Sequence, residues 1–321
     1  MSARVEELFA RSSYAAPDTI VVATALTDLN YLTSQAIAEA QSAHAELVFV
    51  HAITAEMAPS FAANFNANKA DRDARLALEI ASRQVRSHGL SCKVVVRHGA
   101  VRDVVDEQIQ ERAAGRLILG ARSSAQATRG VDASDIRLGS VSRQLLAHQW
   151  IPVSCISPLV AQVNEAQFAP RKILYPMLQD SHEAHQQSCE QGHPLVRDLS
   201  KYFRAKLVVL EGESGKNQAG EVMGTCLSGC PMGLWPQAER YTLPVVSAEA
   251  ILRAAREHEV DWIVLDRATM FDPEPLMAEV EAVMAESRCP VLIAQHVKPI
   301  ENHLVPLVAL STSRAALTLL G

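Results

Sequence analysis

The sequence predicts an α/β protein of two tandem domains, each a doubly wound five-stranded parallel sheet. Three observations predict it. Short β-branched runs alternate with segments of helical periodicity, and strands joined by crossover helices must pair in parallel. The same order of elements occurs twice in 321 residues, a length that suits about two domains of ~150 residues. The copies also align at their strands: Leu117-Ile-Leu-Gly120 with Ile263-Val-Leu-Asp266, and Ile151-Pro-Val153 with Cys289-Pro-Val-Leu292.

In the first half, Thr19–Thr24 is a short β-branched strand. Thr27 or Asp28 is placed to cap the next helix with its side-chain oxygen, and Leu32, Ala36, Ile37 and Ala40 recur at helical spacing. Glu46–His51 is the second strand. A helix over Lys69–His88 follows, with Leu76, Ile80 and Val85 as its apolar residues and Gly89 as its stop. Cys92–Val96 is a strand, Val101–Ala113 a helix, Arg116–Gly120 a strand, Gly139–His148 a helix and Pro152–Ile156 the last strand.

The second half repeats this order. Its strands are Lys172–Tyr175, Leu207–Leu210, Arg240–Leu243, Trp262–Leu265 and Val291–Ala294. Its helices are Ser181–Phe203, interrupted by Gly192 and Pro194, then Ala248–His258 and Pro275–Ser287. In place of a second helix it has Glu211–Gln237, which holds six of the chain's 14 glycines and reads as a loop. The expected division is 1–157 for the first domain, 158–170 for a linker, 171–297 for the second domain and 298–321 for a tail. In the tail, Leu304–Leu310 reads as a strand and Ser313–Leu320 as a helical turn or two.

Composition excludes several classes. With 48% apolar and 21% charged residues the chain is globular, and a net charge of -6 gives no drive toward nucleic acid or an anionic membrane. No apolar run approaches the ~18 residues of a bilayer span, and residues 1–18 contain no apolar signal core. Six cysteines without a secretory signal point to a reducing, cytoplasmic setting. No G-x-S-x-G elbow, G-x4-G-K-[ST] loop or H-E-x2-H motif is present, so no constellation supports an enzyme.

Specific segments carry a family resemblance. Val21–Asn30 (VVATALTDLN) resembles the opening of universal stress protein domains, and Asp198–Glu211 resembles that family's first helix and second strand. Leu117–Gly120, Leu138–His148 (LGSVSRQLLAH) and the strand IPVSCIS look like its closing block, as do DWIVLDR and SRCPVLIA in the second half. The resemblance covers roughly 18–157 and 170–297. It implies a tandem universal stress protein: a non-catalytic regulatory module, pairing its domains through their last strands as a monomeric pseudo-dimer or as a homodimer.

The resemblance also implies a site for ATP or a related nucleotide, through a G-x2-G-x9-G-[ST] loop. Backbone N–H groups and a helix N-terminus there receive the anion. Gly120 matches the first glycine, Ser123 replaces the second, and the spacer Ser124–Leu138 is six residues longer than the pattern's nine. Gly139, Ser140 and Ser142 remain at the start of the next helix. Arg122, Arg129 and Arg137 lie in or beside the loop and can add charge-assisted contacts. The acidic residue expected after the first strand is replaced by Ala25, with Asp28 three residues on; slow ATP hydrolysis ranks low because the metal-holding acid is gone. In the second half Asp266 replaces the glycine and Met177 the acidic residue, so nucleotide binding in the family's way is not expected there.

The second half has a set of its own. His182, His185 and Cys189 share one helix face by their spacing, and Cys226 and Cys230 flank a Gly-containing turn in the loop. If the groups meet, they supply donors that suit zinc and make this half a metal- or redox-responsive module, and a metal would order a long loop. The alternatives are unrelated helix residues beside a flexible loop, or a protein-interaction scaffold with vestigial pockets. Cys92, Cys155 and Cys289 fall in strands as packing thiols, Met270, Phe271, Met277, Val280 and Met284 read as core, and His44, His51, His88, His148, His193 and His258 read as solvated or capping residues at element ends.

Overall fold

The computed structural model describes residues 16–54, 63–121, 138–149, 151–160, 170–177, 195–212, 237–266 and 274–294. The first half contains β1 (Thr19–Ala23), α1 (Leu29–Ala43), β2 (Glu46–Ile53), α2 (Ala63–Ser87), β3 (Cys92–His98), α3 (Val101–Glu111), β4 (Arg116–Gly120), α4 (Ser140–His148) and β5 (Val153–Ile156). The second contains β6 (Lys172–Met177), a helix α5 described over 195–203, β7 (Lys206–Gly212), β8 (Glu239–Leu243), α6 (Ala248–Glu257), β9 (Trp262–Asp266), α7 (Glu274–Glu286) and β10 (Val291–Ala294).

The strands form a single ten-stranded sheet in the order β3-β2-β1-β4-β5-β10-β9-β6-β7-β8. Within each half all pairings are parallel; the halves join where β5 meets β10 antiparallel, with Val291 opposite Cys155, Leu292 opposite Ser154 and Ile293 opposite Val153. The order 3-2-1-4-5 thus appears twice, related by an approximate two-fold axis at that seam.

Because helices cover both faces, the inner strands are near-continuous apolar runs whose alternate residues serve opposite layers, while the edge strand β8 is largely exposed. Val21, Leu117, Leu119, Val153 and Cys155 join one cluster with α3, α4, α6 and α7, which runs unbroken across both halves. The other face is split. Ile20, Val22 and Ile118 pack under α1 and α2 in the first half, and Ile173, Tyr175 and Val264 pack with Val196 and Leu199 of α5 in the second.

The α2 helix corrects the sequence reading. It starts at Ala63, and its buried face is Ala74, Leu78, Ala81 and Val85, whereas Leu76 and Ile80 are 60% and 61% exposed. Small alanines carry the close packing on the sheet, so choosing the bulkiest residues selects the wrong stripe. The loop 213–236, the tail 298–321, and His193, Met270 and Phe271 lie outside the described residues, as does the Met277 side chain; Val280 and Met284 are buried as expected.

Candidate functional site

In each half the chain order of strands reverses between its first and fourth strands, the point at which the C-terminal strand ends of such open sheets leave a crevice. In the first half this crevice is a cavity of about 350 Å3. Its apolar walls include Val50, Ala52, Val101, Leu119 and Leu145; its polar lining includes Thr24, Asp28, His51, Ser140 and Ser142.

One wall is the β1–α1 turn. Thr24 Oγ1 donates to Asp28 Oδ1 and accepts from Leu26 N at 2.9 Å, and Ala25 N donates to the same carboxylate at 3.2 Å. These bonds hold Leu26 in the left-handed region (φ 69), a conformation that costs roughly 1–2 kcal/mol for a residue with a Cβ. Asp28 occupies the N-cap position of α1 but makes no side-chain cap bond. Its carboxylate folds back toward the strand end instead, which corrects the capping assignment. Asp28 is buried, and burial raises its pKa against the opposing pull of the Thr24 and Ala25 hydrogen bonds and of His51.

His51 is a second correction. It lies inside β2, 6% exposed, and lines the cavity rather than capping a solvated end. Its Nδ1 lies 2.9 Å from the Thr24 carbonyl oxygen. A carbonyl only accepts, so Nδ1 carries the proton and donates it to Thr24 O. The readable signal was topological: β2 neighbours β1, so the C-terminal end of β2 borders the crevice.

The opposite wall is the start of α4. Ser142 Oγ donates to the Gly120 carbonyl at 2.9 Å and ties the helix to the end of β4. Gly139 is the N-cap and has no side chain to occupy the first-turn N–H groups, which leaves them able to receive an anion. Gly120 is required by close approach: a Cβ there would stand 2.8 Å from Tyr31 Oη and 2.9 Å from Asp28 Oδ2. The structure therefore brings Gly120, Gly139, Ser140 and Ser142 together around one cavity. Arg122, Ser123, Arg129 and Arg137 lie outside the described residues.

The equivalent positions of the second half differ. Thr19 pairs with Glu46 and Lys172 with Lys206, so the register sets Met177 against Thr24 and Glu211 against His51. Met177 is thus the counterpart of Thr24, not of Ala25 as the sequence alignment had it. Asp266 stands at the register position of Gly120. His182, His185, Cys189, Cys226 and Cys230 lie outside the described residues; among the described residues no group of three or more His, Cys, Asp or Glu is placed to hold a metal ion. Cys92 and Cys155 are buried and Cys289 partly so; burial raises all three thiols, Cys289 to about 11. Among the described residues no helix is long and apolar enough to cross a membrane.

Comparison with known proteins places this geometry. The model of the universal stress protein family matches residues 17–157. A universal stress protein from Archaeoglobus fulgidus DSM 4304 superposes with a TM-score of 0.61 at 14% identity, covering 88% of this chain and 97% of that one. A functionally unknown protein from Pseudomonas aeruginosa PAO1 gives 0.56 at 15% identity, covering 88% and 94%. At these identities the likeness is one of fold, and it extends over both halves. No curated protein matches the chain.

Proposed function

We propose, on the premise that this chain belongs to the universal stress protein family through residues 17–157, that its first half binds a nucleoside phosphate as a non-catalytic regulatory module. The observation that carries this reading is the cavity at the strand-order reversal, which combines three complementary surfaces. The uncapped start of α4, with Gly139, Ser140 and Ser142, suits a phosphate, because the helix end presents free N–H groups and a partial positive charge. Val50, Ala52, Leu119 and Leu145 offer apolar contact to a base and sugar. The His51 imidazole and the Asp28 carboxyl offer polar edges to the base or to the sugar hydroxyls. Arg122 and Ser123, two and three residues after Gly120, are the further residues assigned to the phosphate.

The test is thermal unfolding of the purified chain with AMP, ADP, ATP or inorganic phosphate. A ligand at 100 times its Kd stabilises by about 2.7 kcal/mol, so a true ligand raises Tm by several degrees. Gly139→Val, which crowds the helix start, abolishes that rise, and chromatography of the incubated nucleotide shows no turnover. Absence of any shift at millimolar nucleotide overturns the reading; turnover overturns its non-catalytic part.

A further inference from the structure

We propose that a buried polar cluster beside the axis makes pairing of the halves obligatorily unlike: the surface of the first half fits the second half and rejects a second copy of itself. The argument starts from three pairs of equivalent positions. Ile20 pairs with Arg116 and Ile173 with Trp262, so Arg116 and Trp262 occupy the same place in β4 and β9. Helices α1 and α5 end alike, with Ala45 N bonded to Ala40 O and Ala205 N to Ser200 O after left-handed His44 and Arg204. Glu39 therefore corresponds to Leu199. Leu117 pairs with Val153 and Ile263 with Val291, which makes Ser154 equivalent to Leu292, and these two face each other across the seam.

The chemistry at the three positions is opposite in the two halves. In the first, Arg116 Nη1 and Ser154 Oγ both donate to Glu39 Oε2, at 3.2 and 3.0 Å, and Gln35 Nε2 donates to Oε1 at 3.3 Å. The Arg116 and Glu39 side chains are each 2% exposed. In the second, Leu199, Trp262 and Leu292 belong to one apolar cluster. The halves meet where the Arg116 guanidinium lies over the Trp262 ring, 5.8 Å from its centroid. An aromatic face attracts a desolvated cation and asks for no further hydrogen bond.

A second copy of the first half on the same seam would put Arg116 against Arg116. Two desolvated guanidinium groups would then face each other with no ring between them, and four buried charges would crowd one axis. Charge repulsion strengthens in a low dielectric, and a buried charge is tolerated only with good partners. This is a repulsive element of specificity, not a gain in attraction. Two copies of the second half would bring Trp262 to Trp262 and Leu292 to Leu292 with no such penalty, so the discrimination resides in the first half. Polar links on either side of the seam, Tyr202 Oη to Ser42 O at 2.9 Å and Arg143 to Glu281 at 2.7 Å, fix the same unlike pairing.

Four full-length chains test this: wild type; E39L/R116W/S154L, which makes both sides apolar; L199E/W262R/L292S, which makes both sides polar; and the six-substitution chain that exchanges the clusters. Hydrogen exchange of the 153–156 and 291–294 amides reports the seam. Expected protection is close to wild type in the apolar and exchanged chains, and in the polar chain those amides exchange about tenfold faster or more. The exchanged chain carries the same second-half substitutions, so it separates a failure to pair from a failure to fold. Loss of protection in both chains carrying L199E/W262R/L292S, or in neither, overturns the proposal, as does loss in the apolar chain.

Discussion

The Asp28 carboxylate lies over the backbone of Gly120, so close that a Cβ at Gly120 would stand 2.9 Å from Asp28 Oδ2. The β1–α1 turn and the end of β4 are thereby fitted to each other, and that fit shapes the floor of the cavity. Gly120→Ala forces Asp28 and Tyr31 to move although both are buried. The expected cost is about 1–3 kcal/mol, the range for overpacking a filled interior, read as a lower urea midpoint. Nucleotide affinity falls with it if Asp28 forms the polar edge of the site.

Asp28 also predicts a pH dependence. Its folded pKa is raised, chiefly by burial. A raised carboxyl pKa contributes stability that is fully present below the unfolded value of about 4 and is lost as pH rises through the folded value. Asp28→Asn removes that loss while retaining an oxygen for Thr24 and Ala25. The Tm advantage of the Asn chain over wild type should therefore be smallest near pH 4 and grow toward pH 8. An advantage that shrinks with rising pH would refute the assignment.

The buried Glu39–Arg116 pair predicts a strongly coupled double mutant. Glu39→Leu alone takes the carboxylate away from a guanidinium that is 2% exposed and costs about 3–5 kcal/mol. Adding Arg116→Met removes that buried charge and recovers most of the loss. A double-mutant cycle by urea denaturation gives the coupling directly, and additivity would show that the two groups do not depend on each other.

The two faces of α2 predict a contrast between neighbouring leucines. Leu78 is fully buried and Leu76 is 60% exposed. Leu78→Ala should cost about 2–5 kcal/mol, whereas Leu76→Ala should stay within about 0.5 kcal/mol. Equal effects would mean that α2 sits on the sheet through its other stripe.

Strand alternation, β-branched runs and the twofold repeat of elements are local signals, and they determined the α/β class, the duplicated organisation and the Gly139-Ser140 start of α4. Periodicity also ranked Cys92 and Cys155 as packing thiols, because a cysteine inside an apolar strand has little choice of environment. The tertiary structure decided the rest. Asp28 read as a cap because its neighbours in sequence are a helix start, yet its hydrogen bonds run back to Thr24 and Ala25. His51 read as an element end because nothing in its own strand says which neighbouring strand borders the crevice. The Glu39–Arg116–Ser154 cluster joins residues 77 and 115 positions apart, and its Trp262 counterpart comes from the other half. Periodicity reports only which residues share a face; which faces meet is set by strand order and by the seam between β5 and β10, and long-range pairing is where a buried charge finds its partner.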